Sequence, residues 1–135
     1  MSRENVEIVR EMWAAYVRGD FRASLDAYAE DTVWDDTKYR PDGAVHMGRE
    51  AVRNLVANWR EAWEPESYEV ELERVDEAAD GRVVAVLRES GRGAGGGVEF
   101  TNRWAQISTL RSGRIAQTTV YRTPDQALEA AGLSE

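Results

Sequence analysis

The spacing of the hydrophobic residues in this chain changes from helical to strand-like close to Pro65. Before it, apolar side chains recur every three to four residues, which places them on one face of a helix. The clearest such stripe consists of Val52, Leu55, Val56, Trp59 and Trp63. After Pro65 the spacing becomes two, as in "YEVELE" (68–73), where one face of a strand is apolar and the other acidic. Helices followed by strands predict an α+β fold rather than alternating α/β units.

Local signals divide the first half into three helices and a strand. The spacing predicts an amphipathic helix over residues 3–18 that ends at Gly19, and Asp20 caps a short second helix. The buried side of that second helix is predicted to be Phe21, Leu25 and Tyr28. A short strand over residues 32–39 and an irregular segment come next, and a third helix begins near Gly48.

The second half reads as an antiparallel sheet followed by a terminal helix. Strand 68–73 continues through an Asp-Gly turn into "RVVAVLRES" (82–90), then "VEFTNRWAQISTL" (98–110) and, after a tight hairpin, "IAQTTVYR" (115–122). Thr123 and Gln126 form a capping box for the last helix. Without a linker or an internal repeat, residues 1–135 are predicted to form a single domain.

Composition excludes several classes of function. The 135 residues contain no cysteine and one histidine, which excludes disulfides, thiolate metal sites and clusters of His ligands. The net charge of −8 disfavours nucleic acid and anionic membranes as partners. No stretch reaches the roughly 20 apolar residues of a membrane span, and the charged first residues do not resemble a signal peptide, so we expect a cytoplasmic protein.

The glycine-rich segment "GRGAGGG" (91–97) formally contains G-x-G-x-x-G. That motif binds a dinucleotide when its glycines open a helix whose N-terminus faces the pyrophosphate. Here predicted strands flank the segment on both sides. We therefore interpret it as a hairpin loop and expect no dinucleotide cofactor.

Four segments give the chain a resemblance to a known superfamily. They are "VRGDFRASLDAYAEDTVW" (17–34), "HMGREAVRNL" (46–55), "TLRSGRIAQ" (109–117) and "YRTPDQALEAAGL" (121–133). Together they resemble the NTF2-like superfamily and, within it, the SnoaL-like polyketide-cyclase group. The resemblance implies a cone-shaped barrel, in which three N-terminal helices pack on a strongly curved, mainly antiparallel sheet with a short C-terminal helix. It also implies a cavity between the helices and the sheet, but fold alone does not decide the chemistry.

The same resemblance gives a role to the acidic segment "AEDTVWDD" (29–36). Matching it to the family places Trp34 and Asp36 inward and Asp35 outward. Asp36 then falls where steroid isomerases of this fold carry their general base, and a carboxylate in a largely apolar cone is suited to moving a proton. The simpler interpretation is that Asp36 lies at a strand end in water.

Other catalytic positions of the superfamily are only partly reproduced. The tyrosine that steroid isomerases carry on their first helix falls on Met12, and their second acid falls on Gln106, whose amide could donate to an oxyanion. The Asp-Arg-Asp set of epoxide hydrolases falls on Glu89, Leu87 and Val120. We take Asp36, Gln106 and Glu89 as catalytic candidates, although Glu89 could also be an exposed strand-edge residue.

Binding candidates come from the aromatic residues and from the strand faces. Tyr16, Trp34, Trp63 and Trp104 could grip a planar ring, or could simply belong to the core. The match places Asn102, Trp104, Gln106 and Ser108 inward on the long strand, and it places Thr118, Val120 and Arg122 inward or at the mouth on the last strand. His46 could act at the cavity mouth, or could be a solvated loop residue.

Three functions remain open at this point. The first is a cofactor-free isomerase or cyclase in which Asp36 abstracts a proton next to a carbonyl and Gln106, with Arg122, stabilises the enolate. The second is a carrier that binds a small hydrophobic or cyclic molecule, and the third is a structural dimerisation domain. The outward residues of the long strand, Arg103, Ala105, Ile107 and Thr109, suit a homodimer contact through the outer sheet face.

Overall fold

The computed structural model describes residues 2–134. Its helices are α1 (Ser2–Val17), α2 (Phe21–Asp26), α3 (Arg49–Glu61) and α4 (Pro124–Ala130), with one 3-10 turn at Pro65–Ser67. Its strands are β1 (Tyr28–Asp35), β2 (Val45–Met47), β3 (Glu69–Glu77), β4 (Val83–Arg92), β5 (Glu99–Arg111) and β6 (Arg114–Tyr121). The predicted order of helices followed by antiparallel strands is confirmed.

All the strands join one sheet in the order β2-β1-β6-β5-β4-β3. Neighbouring strands run antiparallel except β1 and β6, which run parallel. The register shifts once in each of the pairs β1/β6, β3/β4 and β5/β6, and irregularities of this kind bend a strand. The sheet stays open, with β2 and β3 at its edges.

Three helices cover the inner face of the sheet. Helix α1 packs against β3 and β4, α3 packs against β1 and β2, and α2 lies against α1. The main core forms between these helices and the inward side chains of the strands, and it includes Val9, Val52, Leu87 and Ile115. This layer arrangement leaves a cavity where the helices diverge above the sheet.

Helix α4 covers part of the outer face. Ala105 and Ile107 point outward, as predicted, but they are buried in a second cluster with Ala127 and Leu128 of α4. The helix is held at its start by the predicted capping box between Thr123 and Gln126. Ala105 and Ile107 are therefore covered by their own chain and do not present a free surface to a second copy.

The predicted limits of the first strand were wrong. Tyr28, expected on α2, opens β1, where its carbonyl accepts two hydrogen bonds from Arg49 at 3.0 and 2.7 Å. The strand ends at Asp35 rather than at residue 39, because Oδ1 of Asp35 accepts from both the backbone N–H and the hydroxyl of Thr37. An aspartate that bonds the backbone two residues on forms a turn.

The short strand β2 was missed because it lies in a segment with turn residues. It pairs with β1 in antiparallel register, with Trp34 opposite His46 and Asp35 opposite Val45. Asp20 caps α2 as predicted by accepting from Ala23 N–H at 3.1 Å. Within residues 2–134, no helix has the length and apolar character needed to cross a membrane.

Candidate functional site

A cavity of about 180 Å³ lies between the inner face of the sheet and helices α1, α2 and α3. The aromatic side chains that line it are Trp13, Tyr16, Phe21, Tyr28, Trp34, Tyr39, Trp59, Tyr68 and Trp104. The rings meet edge to face, and the centroid of Trp104 lies 5.8 Å from that of Trp13 and 6.4 Å from that of Tyr39. A mostly apolar wall with a few polar groups is the usual composition of a small-molecule site.

Asp36 reaches this cavity from the end of β1. Trp34, two residues earlier, lines the same cavity, whereas the side chain of Asp35 turns away to bind Thr37. The structure therefore has the inward and outward orientations that the sequence match implied. Asp36 is only 4% exposed, which overturns the interpretation of a strand-end residue in water.

The carboxylate of Asp36 is held by groups that follow it closely in the chain. Oδ1 accepts a hydrogen bond from Ala44 N–H at 2.7 Å, and Oδ2 lies 3.5 Å from Nη2 of Arg40 and 3.4 Å from Nε2 of His46. A buried carboxylate is costly unless hydrogen bonds or opposite charges compensate its lost hydration. The loop from Asp36 to Ala44 and strand β2 supply that compensation.

Gly43 makes this loop possible. A Cβ atom at this position would lie 2.3 Å from the carbonyl oxygen of Asp36, closer than real Cβ contacts allow. The backbone is also closed by Asp36 N–H donating to Ala44 O at 3.1 Å and by Gly43 N–H donating to Arg40 O at 3.0 Å. The missing side chain of Gly43 thus lets the loop fold back on Asp36.

Glu89 is the second acid of the cavity, and its surroundings differ. It lies on β4 and is 1% exposed, so the interpretation of an exposed strand-edge residue was wrong. Oε2 accepts from Trp59 Nε1 at 3.1 Å and from the Tyr68 hydroxyl at 3.0 Å, and Oε1 accepts from Asn102 Nδ2 at 3.3 Å. Burial raises the pKa of Glu89, and these neutral donors offset only part of that rise.

Three tyrosines extend the hydrogen bonds of Glu89 along the cavity wall. The hydroxyl oxygens of Tyr16 and Tyr68 lie 3.1 Å apart, and Asn102 donates at 2.7 Å to the hydroxyl of Tyr39. Burial raises the pKa of Tyr16, Tyr39 and Tyr68, so these phenols keep their protons at neutral pH. The result is a continuous polar chain on an otherwise apolar wall.

Comparison with known proteins identifies the family. Residues 9–118 match the model of the SnoaL-like domain. The chain belongs to the SnoaL-like family. A search of curated proteins finds no match.

Solved structures similar to this SnoaL-like chain share its NTF2-like fold. An NTF2-like protein from Burkholderia thailandensis is 25% identical, with 96% of this chain and 98% of that chain covered and a TM-score of 0.75. A putative polyketide cyclase from Xanthomonas campestris pv. campestris is 22% identical, with 92% and 93% covered and a TM-score of 0.71. A protein with a ketosteroid isomerase-like fold from Catenulispora acidiphila, in complex with trimethylamine, is 23% identical, with 95% and 94% covered and a TM-score of 0.70.

Five of the predicted site residues of this SnoaL-like protein meet at the cavity. They are Tyr16, Trp34, Asp36, Glu89 and Trp104, and Val120, predicted to face inward or to lie at the mouth, joins them. Asn102 and His46 do not line it, but each contacts one of its acids: Asn102 donates to Glu89, and His46 lies against Asp36. His46 belongs to strand β2, so its interpretation as a solvated loop residue was wrong.

Gln106 lies below the cavity rather than in its wall. It is fully buried, and its Oε1 accepts from Trp13 Nε1 at 3.2 Å, so Trp13 separates it from the space above. Thr118 is also fully buried and does not line the cavity. Both side chains face inward as predicted, but the large ring of Trp13 fills the space between Gln106 and the cavity.

Trp63 and Arg122 do not line the cavity. Trp63 is buried beyond the end of α3, where its ring stacks on Phe100 with centroids 4.3 Å apart. Gly91 allows this packing, since a Cβ there would lie 2.8 Å from Cε3 of Trp63. Arg122 is exposed and donates to the backbone carbonyl of Tyr39 at 3.3 Å, so it fixes the loop that carries Tyr39.

Sequence reasoning missed several residues of the wall. They are Tyr28, Tyr39, Arg40, Trp59, Arg60 and Tyr68. Trp59 belongs to the apolar stripe of α3, where a core position was favoured over stacking on a ligand, and Tyr68 belongs to the alternating strand pattern. The useful signal was their polar atoms, because a buried indole N–H or phenol needs a partner. Within residues 2–134, no group of three or more His, Asp or Glu side chains is arranged to hold a metal ion.

Proposed function

We propose that this SnoaL-like protein binds a cyclic, mostly apolar carbonyl compound in its cavity and moves a proton on it. The supporting observation is the pair of acids, Asp36 and Glu89, that face one aromatic cavity while being only 4% and 1% exposed. Acidic side chains are rarely buried so deeply without a partner. A cavity of about 150 Å³ holds a benzene ring, so a cavity of about 180 Å³ suits a ligand of one or two rings.

In the proposed reaction, Asp36 is the general base. It removes a proton from the carbon next to the carbonyl, which leaves an enolate, and it returns that proton to the same or a conjugated carbon. The net result is exchange or isomerisation, and no metal or organic cofactor is required. General base catalysis of this kind contributes roughly 10²- to 10⁴-fold.

The polar chain on the opposite wall would stabilise the enolate oxygen. The raised pKa of Glu89 favours its protonated form, and each hydroxyl donates a single hydrogen. When Oε2 of Glu89 carries the proton, its hydrogen bond with Tyr68 reverses: the O–H of Glu89 donates to Tyr68, Tyr68 donates to Tyr16, and the hydroxyl of Tyr16 is left to donate into the cavity. Gln106, shielded by Trp13, has no part in this mechanism.

A carrier function is the second candidate, and one observation favours it. Both oxygens of Asp36 already have partners, namely Ala44 N–H on one side and Arg40 and His46 on the other. A carboxylate has about four lone-pair positions, so Asp36 retains the capacity to accept a proton. In a carrier, however, the same contacts would serve only to hold the loop and orient the ligand.

Deuterium exchange separates these two functions. We would follow the exchange of the protons next to the carbonyl of 2-tetralone, a bicyclic ketone, by NMR in deuterated buffer. We expect the protein to accelerate exchange and Asp36→Asn to reduce that acceleration at least 100-fold, because the amide keeps the shape but cannot act as a base. Asp35→Asn is the matched control, since Asp35 points away, and it should exchange as the wild type does.

The outcomes assign one function or the other. Unchanged exchange in Asp36→Asn would remove Asp36 as the base. Quenching of tryptophan fluorescence by the ketone, without accelerated exchange in the wild type, would favour the carrier. Neither quenching nor exchange across a panel of cyclic ketones would leave the structural dimerisation domain as the remaining function.

We also propose that two copies associate through a smaller part of the outer sheet face than the sequence predicted. Helix α4 covers Ala105 and Ile107, whereas Arg103 and Thr109 of the predicted outward set are exposed. The proposed contact extends toward β2, where Val45 and Met47 are exposed. Sedimentation velocity at rising protein concentration tests it. A protein that stays monomeric throughout would contradict the proposal.

A further inference from the structure

The negative and positive side chains that line the cavity lie at different depths. The two acids, Asp36 and Glu89, are buried, whereas the three arginines, Arg40, Arg53 and Arg60, are partly or fully exposed. The cavity therefore has a basic rim, although the whole chain carries a net charge of −8. A local basic rim of this kind attracts anions against the overall charge.

Arg60 differs from the other two arginines at the rim. Arg40 lies 3.5 Å from Asp36, and Arg53 is paired with Glu50 on the same helix. Among the residues that the structure describes, the side chain of Arg60 forms no ion pair and no hydrogen bond, and its guanidinium carbon lies 3.5 Å from the centre of the Phe21 ring. It is half-buried on α3, so it is a sheltered positive charge without a negative partner.

The position of Arg60 connects it to the polar chain of the cavity. Burial raises the pKa of Tyr16, and the positive charge of Arg60 is close enough to lower it in part. Stacking on Phe21 uses the flat face of the guanidinium, while its N–H groups lie in the plane of the fork. Those in-plane donors match a carboxylate, which they can bind with two parallel hydrogen bonds.

We propose that the substrate of the cavity is an anion, a one- or two-ring compound with a carboxylate that Arg60 binds at the rim between α2 and α3. The ring then lies against the aromatic wall between Asp36 and Tyr16. This inference rests on the proposed function for the location of the ligand, but it concerns the ligand's charge rather than its reaction. The arginine acts as a binding residue and takes no part in the proton transfer.

Three probes that share one ring system test the proposal. They are 2-naphthoate, the neutral alcohol 2-naphthylmethanol, and the cation trimethyl(2-naphthylmethyl)ammonium. We would titrate each into the full chain by isothermal calorimetry and confirm binding by tryptophan fluorescence. We expect the wild type to bind naphthoate at least tenfold more tightly than the alcohol, and to bind the cation most weakly.

Variants of single arginines assign that preference to Arg60. Arg60→Gln should lose at least tenfold in affinity for naphthoate and little for the alcohol, whereas Arg60→Lys keeps the charge without the fork and should lose less. Arg10→Gln is the matched control, because Arg10 of α1 is paired with Glu7 and does not line the cavity, so its loss removes one positive charge elsewhere and should leave binding as in the wild type. Thermal unfolding confirms that each variant is folded.

Several results would overturn the inference. These are equal affinity for acid and alcohol, a preference for the cation, an unchanged affinity in Arg60→Gln, or no measurable binding of naphthoate at millimolar concentration. Failure of the proposed reaction gives a different pattern: naphthoate binding that depends on Arg60, together with no exchange of 2-tetralone protons. The charge of the ligand and the function of Asp36 are thus tested separately.

Discussion

Asp36 and Glu89 face the same cavity, but the fold compensates their burial in different ways. Asp36 lies beside two basic side chains and one backbone N–H, all supplied by residues 40–46. Glu89 lies among neutral donors from α3, from Tyr68 just before β3, and from β5. The comparison shows two ways to bury an acid. A loop next to Asp36 in the sequence supplies charged and basic groups, whereas elements distant from Glu89 in the sequence supply an indole, a phenol and an amide. Burial among neutral donors raises the pKa of Glu89, which suits the acid of the proposed reaction.

The largest effect is expected where the Asp36 loop depends on a single glycine. In Gly43→Ala the new Cβ would meet the backbone of Asp36 at 2.3 Å, and a backbone atom cannot move aside as a side-chain end can. We expect the free energy of unfolding to fall by about 3 kcal/mol, at the upper end of overpacking effects. Urea unfolding followed by circular dichroism measures the loss.

Gly96→Ala is the control for this prediction. The new Cβ would meet a methyl group of Val98 at 3.9 Å, an ordinary contact, so the free energy of unfolding of this variant should stay within about 0.5 kcal/mol of the wild type. If Gly43→Ala were as stable as Gly96→Ala, the loop would not be held as tightly as the contacts of Asp36 indicate. The backbone around Asp36 would then be less constrained than the backbone around Glu89.

A middle-sized effect is expected from the pH dependence of Glu89. Burial raises its pKa in the folded protein above the ordinary value of 4.5. Between these two pKa values the folded protein holds a proton that the unfolded chain has released, so the free energy of unfolding falls as pH rises through that interval. The loss of stability caused by Glu89 is complete above its folded-state pKa. It is absent well below 4.5, where Glu89 is protonated in both the folded and the unfolded state.

Glu89→Gln removes that titration while keeping a donor and an acceptor in place. At pH 5 the variant should match the wild type within about 1 kcal/mol, since Gln and protonated Glu have similar hydrogen-bonding groups. Its stability relative to the wild type should then increase as pH rises to 8, as measured by urea unfolding at a series of pH values. A relative stability that decreases with pH would mean that the neutral donors favour the carboxylate form, as cations do, and the contrast with Asp36 would be lost.

Sequence analysis predicted that Asp36 faces inward, but it left open whether Glu89 is buried or exposed. The difference arises because the position of Asp36 depends on neighbours in one strand, whereas that of Glu89 depends on residues far away in the sequence. The alternation of Trp34, Asp35 and Asp36 is a property of one strand, so parity and the family match placed it correctly. The capping box of α4 and the spacing of α3 are equally local. Glu89 is explained by Trp59, Tyr68 and Asn102, which meet only through tertiary packing.

The same difference explains the errors on the long strand. Its parity was correct, since Trp104 and Gln106 face inward and Ala105 and Ile107 face outward. The alternation along a strand shows which face a side chain lies on, but not what covers that face. It could not show that Trp13 covers Gln106 or that α4 covers Ala105 and Ile107. Depth depends on the volume of side chains from other elements, which a single strand does not contain.

The smallest effect is expected from the charge beside Asp36. The side chain of Arg40 is 43% exposed, and its Nη2 lies 3.5 Å from Oδ2 of Asp36. Partly exposed pairs of this kind contribute roughly 0.5 kcal/mol, and Ala44 N–H and His46 remain in place when Arg40 is replaced. Arg40→Gln should therefore lower the free energy of unfolding by about 0.5 kcal/mol in low salt, and the difference should shrink in 1 M NaCl because salt screens exposed charges. A loss above about 2 kcal/mol that salt does not reduce would show that Arg40 and Asp36 act as a fully buried ion pair, and Asp36 would then depend on its neighbours as strongly as Glu89 does.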